Sequence, residues 1–304
     1  MTATTDHAPT ITICIPTFRR PQLLADLLRR LAGQELPSEA CLELLVVDND
    51  AARSAEPVVT GFGRDTPYVV RYVCEPVRGY ARVRNRLIDE ASGRWLACID
   101  DDEWPEPGWL QALLRAWTEH RPDVVFGTVL DRYDSPPPAW LRELDAVRRA
   151  PMSGPMTAAQ VMSGNYFCEK ALFSRFNVRY SEAFNGGGED SDLFLRLESL
   201  GARFIGCPDA IVWHRLPPAR VTLRALMARA YRNGRINART REGQEARVRL
   251  RFFVQATLKA LLLMGLIPVA LVAGRSRGAL FALRWTATLG MASGALETLR
   301  RTKH

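Results

Sequence analysis

The sequence predicts an α/β protein with a mostly parallel sheet flanked by helices, followed by a C-terminal helical region. Short apolar runs alternate with helical patterns along the first 130 residues, and this spacing is typical of βαβ units and a parallel sheet. The charge is also divided. The chain from Arg215 onward holds 18 of the 41 Lys and Arg residues but only 3 of the 33 Asp and Glu residues. Such an asymmetry indicates an anionic surface as a partner of the basic region.

Five apolar runs in the first 130 residues have the length and composition of buried strands. They cover residues 11–15, 42–47, 68–74, 95–99 and 124–129. Helices are predicted between them, because Pro21 opens a leucine pattern that stops near Gly33. Similar patterns cover residues 80–91 and 108–120.

The following segment mixes loops, strands and one helix. Residues 134–138 are rich in Pro, and residues 150–157 are rich in Pro, Gly and Met. Both compositions predict loops above a binding site. Strands are predicted at residues 164–168, 203–207 and 210–213, and a helix after the three glycines at 186–188.

The apolar run 95–99 ends in four consecutive acids, Asp100 to Glu103. The carboxyl ends of parallel strands are where ligands bind, and Mg²⁺ or Mn²⁺ prefers oxygen ligands. In an extended chain Asp100 and Asp102 point to the same side. A solvated acidic turn is the alternative. We favour a metal site, because four like charges at one strand end repel one another unless a cation lies among them.

Two other strand ends are polar: Pro16-Thr17 and Asp48-Asn49-Asp50. If they meet the acidic tip at one sheet edge, they can hold a nucleotide, with Asp48 and Asp50 near the ribose or base. The alternative is that the Asp-Asn-Asp run forms a turn or caps a helix. No G-x-x-x-x-G-K-[ST] motif and no G-x-G-x-x-G motif follows the first strand, which argues against a P-loop or a dinucleotide site.

Together these motifs resemble family 2 glycosyltransferases of the GT-A fold, in particular bacterial members that build polysaccharides or modify lipid-linked acceptors. The resemblance covers residues 10–215 and rests on IPTFRR, LLVVDND, VRGYARVRN, GRWLACIDDDEWPEPGWL and NGGGEDSDLFLRLESLG. It implies a D-x-D site for Mg²⁺ or Mn²⁺ at Asp100 and Asp102. Glu103 departs from the pattern, since many members have Asp there.

The resemblance also implies roles for other residues. The donor nucleotide sugar, UDP- or GDP-linked, would contact a set made of Pro16, Thr17, Asp48, Asp50, Arg78, Asp100 and Asp101. His214 follows an apolar strand in a region where GT-A enzymes often provide a third metal or phosphate contact, although a lone histidine is more often structural.

Asp190 is the predicted catalytic base. It is the last acid of the Glu-Asp pair that follows the three glycines, at a helix start where negative charge is favoured. An acceptor hydroxyl must lose its proton as it attacks the anomeric carbon of the sugar, and a positioned carboxylate can accept that proton. A single base opposite the leaving nucleotide fits inversion at that carbon. Glu189 is predicted to bind the acceptor, and Asp192 to serve as an ordinary acid of a first helical turn.

The predicted domains are a GT-A domain over residues 1–215 and basic and apolar helices over residues 216–304. The first would contain a nucleotide-sugar half (about 10–130) and an acceptor half (131–215). Residues 220–239 form a basic amphipathic pattern, and residues 252–273 and 278–296 are mainly apolar. A spanning helix needs about 20 mainly apolar residues. Polar residues interrupt both segments and Pro268 would kink the first, so we favour helices in the cytoplasmic leaflet of the inner membrane. A hairpin that re-enters or crosses the bilayer and packing in a homo-oligomer are the alternatives.

The hypothesis is therefore an inverting, metal-dependent glycosyltransferase that acts on a membrane-held, lipid-linked acceptor. A nucleotidyltransferase and a catalytically silent sugar-nucleotide-binding scaffold are the rivals. The basic region has no nucleic-acid-binding motif, so nucleic acid is not an expected partner. The six cysteines are scattered without a C-x-x-C pair, which indicates thiols in a reducing cytosol, and residues 1–9 lack the apolar core of a signal peptide.

Overall fold

A computed structural model describes residues 11–34, 41–148, 153–161, 164–241 and 245–301. It confirms the predicted α/β class. The strands are β1 (Ile11–Thr17), β2 (Leu42–Asp48), β3 (Val69–Cys74), β4 (Trp95–Cys98), β5 (Glu103–Pro105), β6 (Val124–Tyr133), β7 (Gly154–Met156), β8 (Tyr166–Glu169) and β9 (Phe204–Leu216). The helices are α1 (Pro21–Leu31), α2 (Glu56–Arg64), α3 (Tyr80–Glu90), α4 (Trp109–His120), α5 (Ala139–Arg148), α6 (Ala171–Arg175), α7 (Glu189–Ser199), α8 (Leu223–Arg239), α9 (Ala246–Val272) and α10 (Arg275–Arg301).

The strands form one mixed sheet in the order β3-β2-β1-β4-β8-β6-β9-β5, with β7 paired to β9. The pairs β1–β2, β2–β3 and β1–β4 are parallel, whereas β4–β8, β6–β8, β5–β9 and β7–β9 are antiparallel. In this register Thr17 pairs with Asp48, and Cys14 pairs with Cys98. The polar ends of β1, β2 and β4 therefore meet at one edge of the sheet, as the sequence predicted.

Both faces of the sheet are covered by helices. The leucine stripe of α1 is fully buried against β1 and β2, and the apolar side of α3 packs on the opposite face. Because β1 and β2 are buried on both faces, they are apolar almost throughout, as expected for the central strands of a parallel sheet. Burial of each such leucine contributes about 2 kcal/mol of transfer free energy.

The sequence analysis missed several elements. It did not predict α2, in which only Val59 is buried, because Gly61 and Gly63 conceal the helical pattern. It also missed the short strand β5 and the helix α5. The two predicted strands at 203–207 and 210–213 are one strand, β9, because pairing with β7 and β5 overrides the local break signal of Pro208.

The chain divides into two compact units. A sheet unit comprises Met1–Asp131 and Pro151–Arg215, and a helical unit comprises Arg132–Ala150 and Leu216–His304. Residues 132–150 thus belong with the C-terminal helices, whereas the sequence analysis included them in the GT-A domain. The physical reason is an apolar cluster in which Leu141 packs with Leu216 and Val221. The division of the GT-A domain into donor and acceptor halves stays a prediction.

In the helical unit, α8 and α10 pack with their backbones in close contact. A Cβ atom on Gly290 would overlap the carbonyl oxygen of Tyr231, and one on Gly234 would overlap that of Ala287. The Tyr231 hydroxyl and the Ser293 hydroxyl are 3.0 Å apart across the same contact. The absence of a side chain at these glycines is therefore what permits the packing of the two helices.

The helix α9 presents an apolar outer face. Among the residues described, it is the one helix that is long and apolar enough to cross a membrane by length and composition. Its most exposed large apolar side chains, between 45% and 91% accessible, are Val248, Leu250, Val254, Leu258, Leu261, Leu262, Met264, Val269, Leu271 and Val272. An apolar face of this size is uncommon on a monomeric soluble protein and marks an interaction site.

We predict opposite effects for two Gly→Ala substitutions in the helical unit. Gly290→Ala should lower the free energy of unfolding by about 1–3 kcal/mol, because the new methyl group overpacks the α8–α10 contact. Gly265→Ala, in α9, should raise it by up to about 1 kcal/mol, because no heavy atom lies within 4 Å of the added carbon and Ala favours the helix. Limited proteolysis and thermal unfolding measure both. Equal stability of the two variants would contradict the packing described for α8 and α10.

Candidate active site

The acidic tip, residues 100–103, begins two residues after the last residue of β4. The strand ends at Cys98, and residues 101–102 form a turn, so Asp100 and Asp102 are not on an extended chain as the sequence analysis assumed. The turn is closed by Glu103, whose side chain accepts the Asp100 N–H at 3.2 Å. Burial and the neighbouring Asp100 raise the pKa of Glu103 well above its ordinary value. Glu103 therefore points inward and holds the turn.

Two arginines neutralise the acidic tip from opposite sides. The Nη1 atom of Arg20 lies 2.9 Å from both Asp101 Oδ1 and Asp102 Oδ2, and Thr17 donates to Asp101 at 2.8 Å. On the other side, Arg84 Nη2 lies 3.3 Å from Asp100 Oδ1. The expectation that only a metal could relieve the repulsion was therefore incomplete, because the protein supplies two cations of its own.

His214 lies beside the tip because β5 and β9 pair Glu103 with His214. Its Nε2 is 3.8 Å from Asp102 Oδ2, and its Nδ1 is 3.4 Å from Asp131 Oδ1. The charges of Asp102, Asp190 and His214 all act on the Asp100 carboxyl, whose pKa is raised mainly by burial. Arg84 also contacts Glu189, the residue before Asp190, at 3.1 Å, so the start of α7 lies near Asp100.

The donor chemistry of this group fits a divalent cation. The set contains two carboxylates and one imidazole, and Mg²⁺ or Mn²⁺ commonly uses one or two carboxylates and completes its shell with phosphate oxygens and water. Within residues 11–34, 41–148, 153–161, 164–241 and 245–301, no three His, Cys, Asp or Glu side chains form a ready cluster for a metal. The assignment of Asp100, Asp102 and His214 as ligands stays a prediction.

The carboxylate of Asp48 organises the loop after β2. It is fully buried and accepts three hydrogen bonds, from the Asp50 N–H at 3.1 Å, the Ala55 N–H at 2.8 Å and the Tyr72 hydroxyl at 3.1 Å. The side chain therefore has the turn-forming role that the sequence analysis gave as its alternative. The Asp50 carboxylate pairs with Arg19 at 3.2 Å, which lowers its pKa.

Asn49 connects this loop to the segment that carries Arg78. Its amide donates to the carbonyl oxygens of Glu75 and Val77, both at 2.9 Å, and its oxygen accepts the Gly79 N–H at 2.8 Å. The Arg78 guanidinium then lies 4.8 Å from the centre of the Phe18 ring, a cation–π distance. The predicted donor residues at the ends of β1 and β2 are thus brought together with Arg78.

The Glu-Asp pair after the three glycines diverges in the structure. Gly187 and Gly188 have φ values of 118° and 93°, which L-residues with a side chain rarely adopt. Asp190 is partly exposed and accepts the Ser191 N–H at 2.7 Å. Glu189 is buried and accepts from Arg84 Nε at 3.1 Å. Asp190, the predicted base, is therefore accessible. The side chain of Glu189, which was predicted to bind the acceptor, instead binds Arg84 of the protein itself.

Sequence reasoning considered Arg84 only as one of several arginines that could contact the donor diphosphate, and it gave Arg20 and Asn49 no role of their own. A signal for Arg84 existed, because it follows Ala81 by three residues and precedes Ile88 by four, and both neighbours are buried residues of α3. A charge in the apolar stripe of a helix indicates a buried partner. Arg20 precedes a helix start and belongs to no periodic pattern, so only the folded chain connects it with Asp101 and Asp102.

The fold and the polar sheet edge define a nucleotide-sugar-dependent enzyme class with the GT-A fold. Residues 12–178 match the model of Glycosyl transferase family 2, and the chain belongs to that family. It is 32% identical over 237 residues to the succinoglycan biosynthesis protein ExoM of Rhizobium meliloti, covering 75% of this chain and 74% of that one.

More distant similarities agree with this family. The chain is 26% identical over 123 residues to the GalNAc(5)-diNAcBac-PP-undecaprenol beta-1,3-glucosyltransferase of Campylobacter jejuni, covering 40% of this chain and 38% of that protein. The crystal structure of S. aureus TarS 1–349 in complex with UDP-GlcNAc superposes with a TM-score of 0.56 at 14% identity, over 96% of this chain and 92% of that one. At this identity the structural likeness shows the fold alone.

We predict that Glu189 makes the stability of the protein depend on pH. Burial raises its pKa to about 7 from an ordinary 4.5, against the opposing effect of Arg84. Between these values the folded protein keeps a proton that the unfolded chain has lost, so the free energy of unfolding falls as pH rises through this window. Glu189→Gln removes this component, so the difference between variant and wild type should change by about 3 kcal/mol between pH 4.5 and pH 8. Urea unfolding at both pH values measures it, and parallel pH profiles of the two proteins would refute the assignment.

Proposed function

We propose that the protein is an inverting, metal-dependent glycosyltransferase that moves a sugar from a nucleoside-diphosphate donor to a hydroxyl group of a membrane-held acceptor. The observation that carries the proposal is that Arg84 contacts both Asp100 of the acidic tip, at 3.3 Å, and Glu189, the residue before Asp190, at 3.1 Å. A base close to a diphosphate-binding edge is what a single displacement requires.

The residues have distinct tasks in this reaction. Asp190 accepts the proton of the acceptor hydroxyl while the oxygen of that hydroxyl forms a bond to the anomeric carbon. The bond from that carbon to the donor phosphate breaks at the same time, and the nucleoside diphosphate leaves with its electron pair on the opposite face. Pro16, Thr17, the loop around Asp48 and Arg78 bind and orient the nucleotide part.

Asp100 and Asp102, with His214 as a third contact, would hold a divalent cation. When bound, Mg²⁺ or Mn²⁺ supplies Lewis-acid stabilisation to the negative charge that develops on the departing diphosphate. The structure of GalNAc-T7 with UDP, GalNAc and Mn²⁺, similar to this chain at 14% identity and a TM-score of 0.53 over 69% of this chain and 44% of that one, supports the use of a metal in this fold.

The relatives support the choice of substrates. TarS binds UDP-GlcNAc, a donor of the nucleotide-sugar class proposed here, whether UDP- or GDP-linked. The ExoM protein acts in succinoglycan biosynthesis, and the name of the Campylobacter enzyme describes a glycan on a diphosphate-linked undecaprenol. A lipid-linked glycan in cell-surface polysaccharide synthesis is therefore the proposed acceptor.

The central prediction is that Asp190→Asn keeps donor binding and loses transfer. The amide cannot accept the hydroxyl proton, so kcat should fall by at least about 100-fold, the typical contribution of a general base, while the Kd for the donor changes little. The measurement is nucleotide release from a panel of UDP- and GDP-sugars with Mn²⁺, Mg²⁺ or chelator, with and without a lipid extract.

The matched control is Asp192→Asn in the same helical turn, because Asp192 is paired with Arg196 at 2.7 Å and should leave transfer unchanged. Normal transfer by the Asp190→Asn variant would refute the assignment of the base. Donor binding without transfer in every acceptor mixture, for wild type as well, would favour the silent sugar-nucleotide-binding scaffold.

We further propose that α9 lies in the surface of the cytoplasmic leaflet of the inner membrane. Its apolar stretch from Ala260 to Gly274 contains no charged residue, and it is bounded by Lys259 on one side and by Arg275 and Arg277 on the other. Basic residues at both ends favour a helix whose two ends stay on the same, anionic side of the bilayer. The exposed leucines between them would enter the acyl region.

The prediction for this surface uses a double variant that carries both Leu261→Gln and Leu262→Gln. Both leucines are more than half exposed, so folding should be retained, while affinity for vesicles of anionic phospholipid should fall by about 100-fold, from about 1.5 kcal/mol per leucine. Co-sedimentation at low and high salt measures it, because apolar insertion persists when charges are screened. The matched control is the double variant Leu195→Gln and Leu200→Gln, in α7 and directly after it. Equal vesicle binding by the two double variants would contradict the proposal.

A further inference from the structure

We propose that Arg84 is a positioning residue that fastens the start of α7, and with it Asp190, to the acidic tip. The inference rests on the proposed function, in which Asp190 is the base. It assigns to Arg84 a task inside the protein, different from a direct contact with the donor diphosphate.

The guanidinium of Arg84 joins two elements that are distant in sequence. Arg84 is buried, with 8% of its surface accessible, and its Nε lies 3.1 Å from Glu189 Oε1 while its Nη2 lies 3.3 Å from Asp100 Oδ1. A single planar group thus connects the first residue of α7 to the first residue of the tip. Arginine suits this task, because its donors diverge in a fixed plane, whereas a lysine ammonium is a point charge.

The position of the guanidinium is itself fixed by packing. The centre of the Tyr180 ring is 5.8 Å from it, and the Tyr180 hydroxyl is 2.8 Å from the Tyr166 hydroxyl on β8. Asn85, the next residue of α3, bonds the backbone of Tyr180 twice, at 2.9 Å and 3.0 Å. Arg84 therefore has little freedom to turn towards another partner.

The chain needs such a fastening because of the three glycines between Asn185 and Glu189. The residues before them are anchored to α3, since the Tyr80 N–H donates to the Asn185 carbonyl oxygen at 3.2 Å. A Cβ atom on Gly186 would meet no heavy atom within 4 Å, and Gly187 and Gly188 have positive φ. Backbone preference restrains this glycine segment weakly. Leu193, Phe194 and Leu197 hold the body of α7 in the core, and the Arg84–Glu189 contact holds its first residue.

The energetic cost of the arrangement supports a role beyond stability. Burying an arginine with two carboxylates carries a desolvation penalty that apolar side chains of similar volume would avoid. The gain is geometric, because Asp190 follows Glu189 directly and a misplacement of about 1 Å can cost about 100-fold in rate.

The experiment compares Arg84→Gln, Arg84→Lys and Glu189→Gln with Arg86→Gln, whose side chain forms an exposed pair with Glu90 on the same helix. Transfer is measured at pH 8 with donor and metal varied separately. Glu189→Gln replaces the charged acceptor at α7 by a neutral amide oxygen, which weakens the link, and leaves the Arg84–Asp100 contact in place. It should lower kcat about 10- to 100-fold, with the KM for donor and the metal requirement unchanged. Arg84→Gln should lower kcat at least as much, Arg84→Lys should be intermediate, and Arg86→Gln should match the wild type.

A second readout does not depend on transfer. Backbone amide hydrogen exchange at residues 189–193 should become faster in Arg84→Gln and Glu189→Gln and stay unchanged in Arg86→Gln, because local opening controls exchange. Unchanged exchange in Glu189→Gln, or a raised donor KM with normal kcat, would overturn the positioning role. The Asp190→Asn variant distinguishes a failure of the proposed function. Normal transfer by that variant would refute Asp190 as the base, while the exchange result would still report on the Arg84–Glu189 contact.

Discussion

The architecture of the sheet edge depends on the neutralisation of four carboxyl groups at the end of β4. Carboxylates taken out of water are costly unless opposite charges or hydrogen bonds compensate them. Arg20 compensates Asp101 and Asp102, Arg84 compensates Asp100, and the pKa of Glu103 is raised well above its ordinary value by burial. Since Arg20 directly precedes α1 and Arg84 belongs to α3, the position of both helices is tied to this one cluster.

The same compensation divides the acids into two groups. Asp101 is held by Arg20 and by the Thr17 hydroxyl, and burial raises its pKa to about 6, so its contacts are those of a structural side chain. Asp100 differs, because about a third of its side chain stays exposed. A cation would meet Asp100 directly, whereas Asp102 would have to share its carboxylate between the cation and Arg20.

The two units of the chain meet different physical demands. The sheet unit places charged side chains inside and compensates each of them, which fixes geometry at a cost in desolvation. The helical unit uses glycines to bring α8 and α10 into backbone contact and leaves the apolar side of α9 exposed. Compensated buried charges are suited to holding reacting groups in place. The exposed apolar side of α9 needs a membrane or another protein surface to bury it.

The sequence by itself determined the fold class, the order of the strands up to β4 and the three polar ends that meet at one edge, because buried parallel strands need nearly uninterrupted apolar runs and their carboxyl ends must coincide. It also indicated Asp190 through the glycines before it. The tertiary structure alone decided the partners: Arg20 with Asp101 and Asp102, Arg84 between Asp100 and Glu189, Asn49 with the segment before Gly79, and β9 as one strand across Pro208. These pairings join residues far apart along the chain, and hydrophobic periodicity reports which face of an element is buried but carries no information on which charge lies opposite it.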